Sequence, residues 1–127
     1  MKRRAALRAA LSEDDRKYMD FQIWKEGVAR YTQLRVARWA AERYRPTAAF
    51  AALPGYVPFD SLARDLEKAI STELAEQNLS EAKRVVFYPY GAAEALLLDR
   101  VRPSWRERYF KDLFTLDPAF ENESPSK

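Results

Sequence analysis

The chain has 127 residues, enough for one domain with a single core, and its 47% hydrophobic and 13% aromatic residues are typical of a globular protein. It contains neither histidine nor cysteine, which excludes Ser-His-Asp catalysis, histidine or thiolate zinc sites, cysteine nucleophiles and disulfides within this chain. Carboxylate sites for magnesium or calcium remain open, and the net charge of +3, from 22 basic and 19 acidic residues, does not require a nucleic-acid partner.

The first residues do not have the pattern of a signal peptide. Residues 1–4 provide a basic start, but Arg8 interrupts the short apolar stretch that follows, and three acidic residues begin at Glu13. The sequence also has no run of about 20 apolar residues that would span a membrane. We therefore expect the chain as written to remain in the compartment where it is made.

The first half of the sequence predicts two helices. Ala5 to Leu11 is a short helical stretch, and Ser12 followed by Asp15 is typical of a capping box that starts a second helix. This helix is predicted to end near Tyr44, before Pro46, with Gly27 in its interior. Its apolar residues step by three and four and predict one buried stripe, formed by Phe21, Trp24, Val28, Tyr31 and Leu34.

A connection and a third helix follow. Residues 47–58 form the connection, with Pro54-Gly55 as its turn. Asp60 or Ser61 is predicted to cap a helix that ends near Asn78. The packing face of this helix repeats every fourth residue, at Leu62, Leu66, Ile70 and Leu74.

The last third of the sequence predicts further helices. Ser80 is predicted to cap a segment in which residues 85–90 either end a helix or form a short extended piece. A helix from Pro89 to Val101 is predicted next, and Pro103 starts another that runs through Leu113. The predicted fold is all-α, with four to five helices in a single layered bundle over residues 1–120 and a polar tail at 121–127.

Two short motifs carry a resemblance to a known family. The stretch from Ile23 to Tyr31, IWKEGVARY, resembles the Trp-x-x-Glu-Gly-x-Ala-x-Tyr pattern of gluzincin zinc metallopeptidases, particularly aminopeptidase-like ones, with one residue instead of two between Trp24 and Glu26. In that family a helical Glu is the third zinc ligand, and the matching residue is Glu26. Gly27 beside it would let backbone or substrate approach closely.

The second motif lies downstream, in the order that the family shows. Residues 87–92, FYPYGA, are similar to the Tyr-x-x-Gly-Ala stretch in which a Tyr hydroxyl stabilises the oxyanion of the tetrahedral intermediate. The matching residue is Tyr88, with Tyr90 as the weaker candidate. The resemblance thus implies the helical carboxyl-terminal half of a gluzincin catalytic domain, with zinc as cofactor and peptides as substrates.

The chain departs from the family at its most important motif. Gluzincins need His-Glu-x-x-His upstream of Glu26 for two zinc ligands and the general base, and this sequence has no histidine. The isolated chain is therefore expected to be inactive and to bind no zinc tightly. It would be the carboxyl-terminal portion of a longer peptidase, a degenerate relative without metal, or one part of an assembly whose partner supplies the histidines.

Simpler interpretations stand beside each functional one. Glu26 and Arg30 could form an ordinary i,i+4 ion pair, Tyr88 could be a half-buried core aromatic, and Gly27 could serve close helix packing. Adjacent Asp14 and Asp15 point in different directions on a helix and are better explained by capping than by metal binding.

Two other functions compete with peptide hydrolysis. Arginines are concentrated in residues 30–45 and 100–108, which could bind phosphates or nucleic acid, although acidic residues are interspersed among them. A non-catalytic helical interaction module would instead expose an apolar face and would self-associate or bind a partner protein.

Overall fold

In the computed structural model, which describes residues 2–121, every regular element is helical, so the predicted all-α class is confirmed. Five α-helices have nine or more residues: α1 (Lys2–Ala10), α2 (Glu13–Gln22), α3 (Val28–Arg43), α5 (Phe59–Glu76) and α7 (Phe87–Val101). Four single-turn helices complete the described chain: α4 (Ala48–Ala51), α6 (Leu79–Ala82), α8 (Trp105–Arg108) and α9 (Asp117–Phe120). Within residues 2–121, no helix has the length and apolarity needed to cross a membrane.

Helices α2 and α3 form one continuous rod that is interrupted by a π-helical turn, Ile23–Gly27. The Ser12 side chain caps the start of the rod by accepting a hydrogen bond from the Asp15 backbone, as the capping box predicts. The rod ends at Arg43, where Tyr44 adopts an extended conformation. The predicted helix is confirmed in extent, whereas the π-turn in its middle was not predicted.

The π-turn moves the buried face of the rod. The buried apolar side chains are Met19 before the turn, Ile23 within it, and Val28, Tyr31 and Leu34 after it. These side chains step by five from Ile23 to Val28, and Gly27 between them is also buried. A π-turn inserts one extra residue into the helix, which displaces every later side chain around the axis. The predicted stripe therefore holds from Val28 onward, while Trp24 is only partly buried.

The core lies where α3, α5 and α7 pack on one another. Helix α5 contributes Leu66 and Ile70, and α7 contributes small residues such as Ala92 and Ala95 together with Leu98. Small side chains let helix axes approach closely. The position of α7 against the π-turn follows from this packing.

Three predicted details differ in the structure. Helix α5 begins at Phe59, with Pro58 in the capping position, so neither Asp60 nor Ser61 caps it. Asn78, rather than Ser80, caps the next segment, and residues 83–86 form a 3₁₀ turn. The helix predicted from Pro103 through Leu113 is only the single turn α8. The tail predicted for residues 121–127 lies outside the described residues, apart from Glu121.

None of the residues of helix α1 is buried. Ion pairs join this helix to the rest of the molecule. Arg4 contacts Glu94 of α7 at 2.7 Å between Nε and Oε1 and also pairs with Asp117. Arg8 pairs with both Asp20 and Asp117. Because Glu94 is only 7% exposed, its charge depends on this pairing.

Candidate functional site

The two residues that the motifs single out lie together. Glu26 is in the π-turn, with a side chain that is 19% exposed, and its carboxylate lies close enough to the Tyr88 hydroxyl, at the start of α7, for an interaction that shifts the pKa of both groups. Lys25 approaches the same carboxylate, at 3.2 Å between Nζ and Oε1. Single π-turns occur frequently at functional sites, so this pair is the candidate site.

This interaction sets the protonation of both partners. The pKa of Glu26 is lowered from its ordinary value, first by the Tyr88 hydroxyl and then by Lys25. The pKa of Tyr88 is raised, chiefly because its hydroxyl lies close to the Glu26 carboxylate. At neutral pH the site therefore holds an ionised carboxylate beside a neutral hydroxyl.

Two glycines allow the π-turn and α7, which carry Glu26 and Tyr88, to pack in close contact. Gly27 of the π-turn and Gly91 of α7 meet where the two helices cross, and a Cβ placed on Gly91 would lie 2.7 Å from the Gly27 Cα. A Cβ on Gly27 would approach the Gly91 Cα even more closely. Side chains at either position would separate the helices, so the packing interpretation of Gly27 has direct support. Both glycines belong to the motifs: Gly27 follows Glu26 directly, and Gly91 lies three residues after Tyr88.

A contact between Trp24 and Tyr109 replaces a backbone hydrogen bond that the π-turn removes. The Val28 backbone N–H bonds to the Ile23 carbonyl, five residues back, and leaves the Trp24 carbonyl without its usual helical donor. The Tyr109 hydroxyl donates to that carbonyl at 2.7 Å, and the Trp24 indole N–H donates to the Tyr109 carbonyl at 3.2 Å. The two rings stack with centroids 4.9 Å apart.

Tyr31, the last residue of the first motif, belongs to a partly buried polar cluster. Its hydroxyl donates to Asp99 of α7, with distances of 3.0 and 2.9 Å to the two carboxylate oxygens. Arg106 donates to the Tyr31 hydroxyl at 2.8 Å and to Asp99 at 2.6 Å. The Trp105 indole also donates to Asp99, at 3.0 Å. This cluster joins α3, α7 and α8, which is a structural role.

Some neighbours of the site were missed in the sequence. Arg84 lies close enough to lower the pKa of Glu26, and no local pattern indicates this approach. Gly91 could have been recognised as the partner of Gly27, because each is the only glycine in its predicted helix. The proposed i,i+4 pair was wrong, since Arg30 bonds to Glu73 of α5 at 3.0 Å, and Glu26 bonds elsewhere.

The residues of the site do not by themselves fit zinc. A zinc site needs three or four protein ligands, whereas Glu26 supplies one carboxylate, which already lies close to Tyr88 and Lys25. In the described part of the chain, no group of three or more acidic side chains could hold a metal ion. Any zinc chemistry at Glu26 therefore requires ligands from outside these residues.

Five of the nine arginines in residues 30–45 and 100–108 form ion pairs with acidic side chains. Arg38 pairs with Glu67 at 2.7 Å, Arg106 pairs with Asp99, and Arg108 pairs with Asp112 at 2.8 Å.

Comparison with protein-family models, with characterised proteins and with solved structures finds no match for this chain.

Proposed function

We propose that this chain is the helical carboxyl-terminal part of a gluzincin-type zinc peptidase and contributes to peptide hydrolysis when histidine ligands from outside it complete the site. The observation that carries the proposal is that the side chains of Glu26 and Tyr88 lie close enough to shift each other's pKa. The residues come from motifs far apart in the sequence, and in the family that they resemble both positions serve one catalytic centre.

The protonation of the pair supports the same proposal. A carboxylate must be deprotonated to bind a metal, and the lowered pKa of Glu26 keeps it ionised at neutral pH. A phenol must keep its proton to donate a hydrogen bond to an oxyanion, and the raised pKa of Tyr88 provides that. In the complete protein, Glu26 would be the third zinc ligand and Tyr88 the oxyanion donor.

The experiment uses a complete protein that contains a His-Glu-x-x-His helix, encoded upstream or supplied by a partner chain. Zinc per chain and hydrolysis of a fluorogenic peptide are measured for the wild type, Glu26→Gln and Tyr88→Phe. We expect Glu26→Gln to lose zinc and activity together. Tyr88→Phe should keep its zinc and lose about 10²–10³-fold in kcat, the effect of removing one oxyanion donor.

Tyr90→Phe is the matched control, because it removes a neighbouring phenol hydroxyl from the same helix. It should retain both zinc and most of the activity. Zinc content that is unchanged in Glu26→Gln would contradict the proposed ligand. Zinc-dependent hydrolysis by the pure 127-residue chain would contradict the proposal as a whole, because Glu26 cannot hold zinc without other ligands.

A non-catalytic interaction module is the second candidate, and it is favoured by exposed aromatic residues near the end of the described chain. Phe110 is 79% exposed and Phe114 is 54% exposed, and aromatic residues are enriched in protein interfaces. In this case Phe110→Ser would abolish association with a partner, while Glu26→Gln would change nothing. Sedimentation velocity of the two variants separates the candidates.

A further inference from the structure

A groove of about 850 Å³ lies between α1 and α2 on one side and the end of α5, α6 and the start of α7 on the other. Its lining is mostly apolar and includes Leu7, Leu11, Leu74, Leu79, Val86 and Phe87. Three of these side chains are substantially exposed, namely Leu7 at 42%, Leu74 at 45% and Leu79 at 63%. The groove is therefore an apolar surface that other parts of the described chain leave in contact with solvent.

The charges on the rim of the groove are not balanced. Glu73 is paired with Arg30, and Asp15 is bonded to the hydroxyl of Ser12 at 2.6 Å. Lys83 and Arg84 also line the groove, and neither takes part in an ion pair among the described residues. Arg84 acts on Glu26 only at longer range. Asp15 keeps its charge, because a hydroxyl donor does not neutralise a carboxylate, so the unpaired charges on the lining are two cations against one anion.

We propose that this groove binds a long-chain carboxylate, with the acyl chain against the apolar lining and the carboxylate near Lys83 and Arg84. Burial of methylene groups provides most of the binding free energy. The two cations select an anionic head group and place it at one edge of the groove. This binding goes beyond the proposed peptide hydrolysis and does not depend on zinc or on Glu26.

The size of the groove favours a small amphiphile over a protein partner. Sites for small molecules are typically apolar concavities of about 300–1,000 Å³ with a few polar groups that fix orientation. A stable protein interface needs about 800 Å² of surface from each partner, which extends well beyond one groove. The small ligand accounts for both the volume and the unpaired cations.

The test titrates the fluorescent fatty acid cis-parinarate into the 127-residue chain below the micelle concentration of the lipid. We expect saturable binding of one molecule per chain. Oleate should displace the probe, and oleyl alcohol should be weaker by roughly fivefold, the contribution of a partly exposed ion pair. Sedimentation velocity of the same samples reports their oligomeric state.

Two pairs of variants locate the site. Leu79→Asp should weaken binding about tenfold or more, because a charge replaces apolar lining, while Val101→Asp is the control at a residue that is equally exposed, at 63%, and outside the groove. Lys83→Gly with Arg84→Gln should abolish the preference for oleate over the alcohol. Glycine is suited to position 83, where φ is +50°. Lys68→Ala with Arg3→Gln removes two exposed cations elsewhere and should leave the preference intact.

Four results would overturn the proposal. The first is the absence of saturable binding, and the second is equal weakening of binding by Leu79→Asp and Val101→Asp. The third is equal affinity of the wild type for oleate and oleyl alcohol. The fourth is a dimer that dissociates in Leu79→Asp but does not dissociate when oleate is added. The last result would assign the groove to a second copy of the chain. Loss of binding by Leu79→Asp, together with loss of the oleate preference in the double variant, would support the proposal that the groove binds a long-chain carboxylate.

Discussion

Glu26 and Tyr31 belong to the same motif, but their side chains lie in different surroundings. Glu26 lies close to Tyr88 at a partly exposed site, whereas Tyr31 is 3% exposed and bonds to Asp99 and Arg106. The first arrangement leaves a carboxylate accessible, and the second joins three helices. The same short motif therefore combines a candidate chemical group with a structural one.

Tyr31→Phe should lower the free energy of unfolding by about 1–3 kcal/mol, because it removes a buried hydrogen bond to a charged group. Asp99 would retain its bonds to Trp105 and Arg106, so the variant should still fold. Urea unfolding followed by circular dichroism measures the loss. Tyr44→Phe, at a residue that is 41% exposed, is the control and should stay within about 0.5 kcal/mol of the wild type; an equal loss in both variants would exclude the predicted role.

At the level of the helices, the crossing of the π-turn and α7 at Gly27 and Gly91 determines the geometry of the site. Periodicity in the sequence predicted the rod from Ser12 to Tyr44, because its apolar spacing is helical on both sides of the turn. The π-turn was not predictable from spacing, since it depends on the Tyr109 hydroxyl, which satisfies the Trp24 carbonyl from a distant part of the chain. Local patterns carry no information on such a contact.

Gly27→Ala should destabilise the protein, although alanine favours helix formation by about 1 kcal/mol over glycine. The added methyl group would meet the backbone of Gly91, which cannot move as a flexible side chain would, and overpacking of this kind costs about 1–3 kcal/mol or more. We expect a lower urea midpoint with an unchanged slope. Ser71→Ala, on the exposed face of α5, is the control; a higher midpoint for Gly27→Ala would show that the crossing is not close.

For the whole molecule, the sequence predicted the fold class and the main helices, but not how the helices assemble. The capping box at Ser12 and the turn at Gly55, where φ is +79°, are local features and were predicted correctly. The segment after Pro103 was predicted as a helix from its aromatic spacing, yet these rings pack against the π-turn and Tyr31 instead. Tertiary contacts decided its conformation, and only the structure contains them.

The alkaline stability of the protein should depend on Tyr90. Burial and the adjacent charge of Glu94 raise the pKa of Tyr90 to about 12, above the value of about 10 expected in the unfolded chain. The unfolded state therefore loses this proton first, and stability should fall as the pH rises from about 10 to 12. The contribution is at most about 2.7 kcal/mol and smaller in practice, because Tyr90 is partly exposed.

Urea unfolding at pH values between 9 and 12 tests this dependence by comparing the wild type with Tyr90→Phe. The difference in unfolding free energy between them should shrink or reverse across that range, because only the wild type loses the contribution of the tyrosine. Tyr44→Phe should follow the wild type. Parallel curves for the wild type and Tyr90→Phe would contradict the raised pKa.

The central claim is that Glu26 and Tyr88 belong to a zinc peptidase site that ligands outside this chain complete. The most direct measurement is the intact mass and zinc content of the native gene product, together with the sequence of its locus upstream of the Met1 codon. We predict one zinc ion per chain and a His-Glu-x-x-His segment that is either in frame upstream or present in a partner chain that copurifies with the product. A native product that has the mass of 127 residues and contains no zinc, either alone or in complex with a partner chain, would contradict the claim.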